Sequence, residues 1–274
     1  MIPALVFLVI SINPGVVIID NVWFYGNDHK MRILNTGDMV DILDDLDERY
    51  TVRYDTTSSE IDKNVLVDMN SEIGEHELFV FARGYFDEGE YEKAARLLDI
   101  FARYFDGSNY LAEALYCLAQ SFEALIEKND NDSIPGIAQN ESLKQKYYNG
   151  DIYRMIVRDF PDDPFASKAQ YRLINIFRIE HLPWRDSVQI IQQELSMWED
   201  FCTAYQAPDE RVLGLSEIGY LSRVLYEITD TVDYRDMAIQ TFGEIISDYP
   251  NTIYSAYAKV NLYELTSDKK IYKY

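Results

Sequence analysis

Apolar residues between Glu77 and Tyr116 recur every three or four positions in two runs, which are separated by Glu88-Gly89-Glu90. This spacing predicts two amphipathic helices joined by a glycine turn. Ala82 in the first run and Ala94 in the second are small residues at the positions where two such helices would touch. The pattern therefore predicts a helical hairpin.

The junction that follows this hairpin returns twice later in the chain. An aromatic residue closes one helix, Pro or Asp stops it, and Ser, Asp or Thr starts the next helix, in which small residues follow. The three copies are Tyr104–Ala114, Asp159–Ala169 and Asp248–Ala258. A junction that recurs in this way is typical of a helical repeat protein.

Further helical periodicity predicts seven more helices, which would pair into four or five hairpins. Their predicted ranges are Tyr110–Lys128, Glu141–Arg158, Pro164–Ile179, Arg185–Tyr205, Asp209–Ile228, Tyr234–Asp248 and Ile253–Leu265. Each hairpin has an apolar face that it cannot bury alone, so neighbouring hairpins are expected to stack into a superhelix with a concave binding surface. An insertion around Asn129–Asn140 interrupts the spacing.

The first 70 residues have a different pattern. Met31–Leu34, Met39–Leu43, Tyr50–Tyr54 and Asn64–Val67 are short β-branched or alternating runs, which predict a small all-β barrel. The apolar stretch before them, interrupted by Asn13-Pro14-Gly15, has two interpretations that stay open. Either Ala4–Ile12 is the remnant of a secretory signal, or Val6–Ile10 and Val16–Ile19 are strands joined by an Asn-Pro-Gly turn.

Composition and charge exclude some classes of function. The chain has 274 residues, 47% of them hydrophobic, which is ample for a packed core. Its formal charge of −22 repels phosphate, so neither nucleic acid nor direct binding to a membrane surface is expected. Cys117 and Cys202 lie in predicted helices and are expected to be buried thiols.

No constellation of residues in the sequence predicts catalysis, a metal or a cofactor. His76-Glu77 begins like a zinc protease helix, but Val80 stands where the second histidine ligand is needed. Asp130, Asp132 and Glu141 have part of a calcium-loop spacing, and the glycine arrives one residue late at Gly136, so a polar loop is favoured.

Two stretches resemble known families. Ala82, Tyr85, Gly89, Tyr91, Ala94 and Leu98 fill the positions of the tetratricopeptide repeat (TPR), and the three junctions resemble those of TPR proteins of the bacterial envelope, of the outer-membrane-assembly and Tol-Pal-associated kind. Asn35–Leu43 followed by Arg49–Tyr54 resembles the central hairpin of bacterial SH3 domains. Together they imply a mainly α fold, in which residues 1–70 form an SH3-like barrel and residues 71–274 a TPR-like α-α superhelix.

The TPR resemblance also implies which residues face the groove: His76, Phe79, Arg83, Phe86, Tyr110, Glu113, Lys168 and Arg172. We hypothesise that the three cations among them, Arg83, Lys168 and Arg172, grip a carboxylate of the partner. The alternative is that they form solvated salt bridges with the many acidic residues nearby.

The function that the resemblance implies is a non-enzymatic scaffold in the periplasm or cell envelope, binding a partner protein or peptide, with a cytoplasmic location and a homodimer left open. A second hypothesis is cell-wall (peptidoglycan) recognition by the SH3-like domain, with the helices as a spacer. A third is an enzyme whose catalytic groups meet across helices without a local motif.

Overall fold

A computed structural model describes residues 13–26, 31–128, 134–182 and 187–267. The chain divides into two compact units, an N-terminal unit Met1–Ile134 and a C-terminal unit Pro135–Tyr274, which are described separately. The fold is mainly helical with a β-sheet region near the N-terminus, as predicted. The predicted domain boundary after residue 70 lies inside the first unit and stays a prediction. None of the helices in the described ranges has both the length and the apolar composition that crossing a bilayer requires.

Seven strands form the first part of the N-terminal unit. A five-stranded antiparallel sheet has the order β6-β5-β4-β1-β7, and β2 and β3 form a separate two-stranded ribbon. Their core contains Val17, Phe24, Leu34, Val40, Ile42, Val52, Ile61 and Leu66. The described strands do not close into a barrel. They are β1 Asn13–Val17, β2 Val22–Tyr25, β3 Met31–Leu34, β4 Met39–Asp45, β5 Arg49–Tyr54, β6 Thr57–Asp62 and β7 Leu66–Asp68.

The predicted turn at Asn13-Pro14-Gly15 is wrong, because these residues belong to β1. Asn-Pro-Gly favours a turn locally, but here β1 pairs with β4 on one side and β7 on the other. The Pro14 carbonyl accepts a hydrogen bond from the Met69 amide at 3.0 Å. The proposed partner strand Val6–Ile10 and the signal interpretation of Ala4–Ile12 lie outside the described residues.

The predicted helical hairpin is confirmed. Helices α1 (Gly74–Asp87) and α2 (Tyr91–Tyr104) are joined at Gly89, whose φ of +78° is a conformation that glycine adopts without strain. Helix α3 (Leu111–Lys128) packs on α2. The Tyr85 hydroxyl donates a hydrogen bond to the Ile18 carbonyl at 2.8 Å, so the hairpin is attached to the strand region.

The C-terminal unit begins with a β-hairpin that the sequence did not predict. Gln145–Tyr148, within the predicted helix Glu141–Arg158, is a strand. The helix begins only after Gly150, whose φ is +84°. The Asn140 side-chain amide donates to the last two carbonyls of α5, at 2.8 and 3.1 Å, and so caps that helix. The elements are β8 Ile137–Asn140, β9 Gln145–Tyr148, α4 Asp151–Asp159, α5 Pro164–Glu180, α6 Val188–Ala204, α7 Pro208–Thr229, α8 Val232–Asp248 and α9 Ile253–Thr266.

The three repeated junctions have almost the same backbone conformation. The closing aromatic residues Phe105, Phe160 and Tyr249 have φ/ψ of −120°/53°, −131°/50° and −127°/49°. The carbonyl of each accepts a hydrogen bond from the amide three residues later, at 3.0, 3.0 and 3.2 Å. One turn geometry therefore joins α2 to α3, α4 to α5 and α8 to α9.

The polar residues predicted to start the next helices also act alike. The Ser108 hydroxyl accepts from the Tyr110 amide at 2.9 Å, and the Asp163 carboxylate accepts from the Phe165 amide at 2.8 Å. The Thr252 hydroxyl accepts from the Ser255 amide at 3.2 Å. Each satisfies a backbone donor that the first turn of a helix leaves unpaired.

Consecutive helices of the C-terminal unit pack on one another, and α9 also contacts α7. Their shared core contains the fully buried side chains of Trp198, Phe201 and Phe242. The approach of α7 to α8 requires a glycine, because a Cβ on Gly219 would lie 2.6 Å from Cε1 of Phe242.

Candidate functional site

Three of the predicted groove residues meet between α1 and α3 of the N-terminal unit. The Phe79 and Tyr110 rings are stacked, with centroids 4.7 Å apart and planes inclined by 13°. The Tyr110 hydroxyl lies 3.4 Å from Nδ1 of His76. Phe79 is buried, so its ring forms packing inside this face and is not offered to solvent.

Arg83 bridges the same two helices through carboxylates of its own chain. Its Nε lies 3.0 Å from Asp87 on α1, and a second nitrogen binds Glu113 on α3. Partial burial lowers the pKa of the Arg83 guanidinium, but the hydrogen bond to Asp87 and the nearby negative charges raise it overall. Phe86 lies beside the guanidinium, with its centroid 5.8 Å away. Arg83 therefore makes the local ion pairs that the alternative interpretation expected.

The remaining two predicted groove residues, Lys168 and Arg172, belong to α5 of the C-terminal unit. Lys168 is exposed, with its Nζ 4.3 Å from the centre of the Phe165 ring. Arg172 is half-buried. A grip by these cations on a partner carboxylate stays a prediction.

The arrangement around Arg83 recurs on α7. Arg223 binds Glu227, four residues later on the same helix, at 2.9 Å and Glu264 on α9 at 2.7 Å. We call this arrangement, an arginine held by two carboxylates of which at least one lies on another helix, an arginine clamp. It joins α1 to α3 in one unit and α7 to α9 in the other.

A third arginine clamp is more deeply buried. Arg178 on α5 lies 2.5 Å from Glu194 on α6 and 2.6 Å from Glu217 on α7. The side chain of Arg178 is 18% exposed and that of Glu194 only 2%. Burial lowers the pKa of Arg178, but the attraction of Glu217 and Glu194 raises it overall, so the guanidinium stays charged. It also lies over the Trp198 ring, 5.5 Å from the centroid.

An open cleft of about 520 Å³ lies beside this third clamp, between α5, α7 and α9. Its apolar lining is exposed: Tyr220 is 39%, Tyr257 42% and Ile253 80% exposed as whole residues. Clefts that combine aromatic walls with a few polar groups are where proteins bind ligands and peptides. The lining residues are Arg178, Ser216, Glu217, Tyr220, Ile253, Tyr254 and Tyr257.

The sequence contained a pattern that could have located part of this cleft. In the third junction, Tyr254 and Tyr257 occupy the positions that Tyr110 and Glu113 occupy in the first. Extending the groove register to the third junction would have selected both tyrosines. Tyr220 has no such motif, because its place in the cleft depends on how α7 packs beside α9.

The β2–β3 ribbon presents a second exposed apolar surface, in the N-terminal unit. Trp23 pairs with Ile33 and Tyr25 with Met31 across the two strands. These four residues are between 45% and 65% exposed, whereas Phe24 on the opposite face is fully buried. We call this surface the ribbon face.

The described residues contain no group of three His, Cys, Asp or Glu side chains arranged to hold a metal ion. Asp130 and Asp132 of the calcium-loop pattern lie outside the described residues. Cys117 and Cys202 are buried, as predicted, and burial raises the pKa of the Cys202 thiol to about 11, which keeps it protonated and unreactive at neutral pH.

Neither a scan against models of known protein families nor a search of curated proteins finds a match to this chain.

Proposed function

We propose that this protein is a non-enzymatic scaffold that binds a segment of a partner protein in the cleft between α5, α7 and α9. The observation that carries the proposal is the cleft itself, where three tyrosines and Ile253 line an open volume of about 520 Å³. Apolar side chains this exposed on neighbouring helices are a feature of interaction surfaces. Helix-rich repeat proteins bind partners on surfaces built from successive hairpins.

The wider proposal is a TPR-like superhelix preceded by an SH3-like region. Two observations support the repeat: the three junctions share one turn geometry, and consecutive helices pack on one another within each unit. The family resemblance supports a place in the periplasm or cell envelope of a bacterium. These finer features are our inference.

The test is affinity capture from the source cells with the full-length chain as bait. The variant Tyr220→Ala/Tyr257→Ala removes two aromatic side chains that line the cleft. It should no longer capture the partner that the unchanged chain captures. Tyr263→Ala is the matched control, since Tyr263 is 73% exposed on α9 but does not line the cleft. A partner captured equally by all three baits would contradict the proposal.

The ribbon face favours a second candidate function, recognition of the cell wall by the strand region. An exposed tryptophan and tyrosine side by side provide flat surfaces on which sugar rings or peptides can stack. Here the full-length chain should sediment with purified peptidoglycan, and Trp23→Ala/Tyr25→Ala should stay in solution. If the cleft variant behaves like the unchanged chain in this experiment, the two functions are separate.

A further inference from the structure

We propose that the segment bound in the cleft carries a lysine or arginine whose cationic group lies against Glu217. This inference rests on the proposed function and adds the chemistry of the partner. It assigns a basic segment to the cleft, whereas the sequence suggested that groove cations grip a carboxylate.

The charges around the cleft favour a cation. Arg178 is held by Glu194 and Glu217, so one positive charge faces two negative charges. The next clamp along α7 has the same excess of one negative charge, because Arg223 is held by both Glu227 and Glu264. The whole chain has a formal charge of −22, which attracts basic partners from a distance.

A carboxylate from a partner would be disfavoured at the same place. At Nε or Nη2 of Arg178 it would have to displace the buried Glu194 at 2.5 Å or Glu217 at 2.6 Å, and elsewhere on the guanidinium the negative charge of Glu217 would repel it. Displacing Glu194 would leave a carboxylate without a charged partner inside the protein, which is costly. A cation needs no such exchange, since Glu217 can bind it while still accepting from Arg178.

The tyrosines beside Glu217 suit the rest of a basic side chain. A cation within about 6 Å of an aromatic ring is attracted to the face of the ring, and the apolar stem of Lys or Arg packs on such surfaces. The protein uses this combination internally, where Lys93 lies 5.2 Å from the Tyr85 ring and 3.2 Å from Asp20.

The experiment is selection of a phage-displayed random nonapeptide library on the immobilised full-length chain, followed by fluorescence polarisation with an enriched peptide. We expect enriched peptides to contain Lys or Arg next to apolar residues, and their affinity to fall as salt rises. Glu217→Gln keeps a hydrogen bond acceptor for Arg178 but removes the charge, and should weaken binding roughly tenfold. Glu199→Gln is the control, because Glu199 is exposed on α6 and does not line the cleft.

The outcomes separate this inference from the proposed function. Peptides that lack basic residues, or that bind Glu217→Gln and the unchanged chain equally, would overturn the basic segment. If those peptides no longer bind the variant Tyr220→Ala/Tyr257→Ala, the cleft remains the binding site. Peptides that bind Glu217→Gln, Tyr220→Ala/Tyr257→Ala and the unchanged chain with equal affinity would overturn both the basic segment and the cleft as the binding site. A thermal melt of Glu217→Gln followed by circular dichroism checks that the variant is folded.

Discussion

The α1–α3 face of the N-terminal unit and the α7–α9 face of the C-terminal unit follow the same plan but differ in what they expose. Both have an arginine clamp, at Arg83 and at Arg223. In the first face, the half-buried Tyr110 is stacked on Phe79. In the second, Tyr254 lines an open cleft. A shared sequence register therefore does not by itself make two faces equally available to a partner.

The residue four positions before the clamp arginine differs between the two faces. Four residues before the clamp arginine, the N-terminal unit has Phe79, whose ring stacks on Tyr110. The corresponding residue before Arg223 is Gly219, which carries no ring, and the atoms nearest to its Cβ position belong to Phe242 of α8.

The largest effect that we expect comes from the buried clamp of the C-terminal unit. Arg178→Met leaves Glu194 without its charged partner at 2% exposure, so the free energy of unfolding should fall by about 3–5 kcal/mol. Urea denaturation measures this. The double variant Arg178→Met/Glu194→Leu removes the stranded charge and should recover most of the loss. No recovery would mean that packing, not charge, explains the effect of Arg178.

The second effect compares two glycines in helices of the two units. Gly219→Ala places a methyl group 2.6 Å from the Phe242 ring and should lower the free energy of unfolding by about 1–3 kcal/mol. Gly84→Ala is the control. No heavy atom lies within 4 Å of its Cβ position, and this exposed change should raise stability by about 0.5–1 kcal/mol. Equal effects in thermal melts would show that helix propensity, and not the approach of α7 to α8, decides both.

The smallest effect concerns the clamps at Arg83 and Arg223, whose carboxylates are more exposed than Glu194. Arg83→Met and Arg223→Met should each change the free energy of unfolding by less than about 1 kcal/mol, because their carboxylate partners remain accessible to water. Both changes should shrink further in high salt. The same urea titration measures both variants. If either one lowers the free energy of unfolding as much as Arg178→Met does, the two clamps are not equivalent.

Features set by local chemistry could be predicted from the sequence. The glycine turn at Gly89 and the capping residues Ser108, Asp163 and Thr252 lie within a few residues of the backbone groups that they satisfy. Their positions therefore gave helix ends close to those observed. The burial of both cysteines followed from the usual burial of free thiols.

Features set by distant parts of the chain could not be predicted. Asn13-Pro14-Gly15 became strand because of its neighbours β4 and β7, which no local pattern contains. Gln145–Tyr148 lies within the predicted helix Glu141–Arg158, but β8 pairs with this segment as a strand. Within the site, the register of the junctions contains Tyr254 and Tyr257. The cleft itself depends on how α5, α7 and α9 pack, which no local pattern contains.

The shared junction geometry has a consequence for how such a chain can change in length. The residues between the aromatic and the cap differ, being Asp106-Gly107, Pro161-Asp162 and Pro250-Asn251, yet the turn keeps its shape. Recombination between genes at these places would preserve an intact turn on both sides of the crossover. A block of helices bounded by two such turns, such as α5 to α8, could then be duplicated or deleted as a whole, and binding faces could be added without redesigning the helices around them.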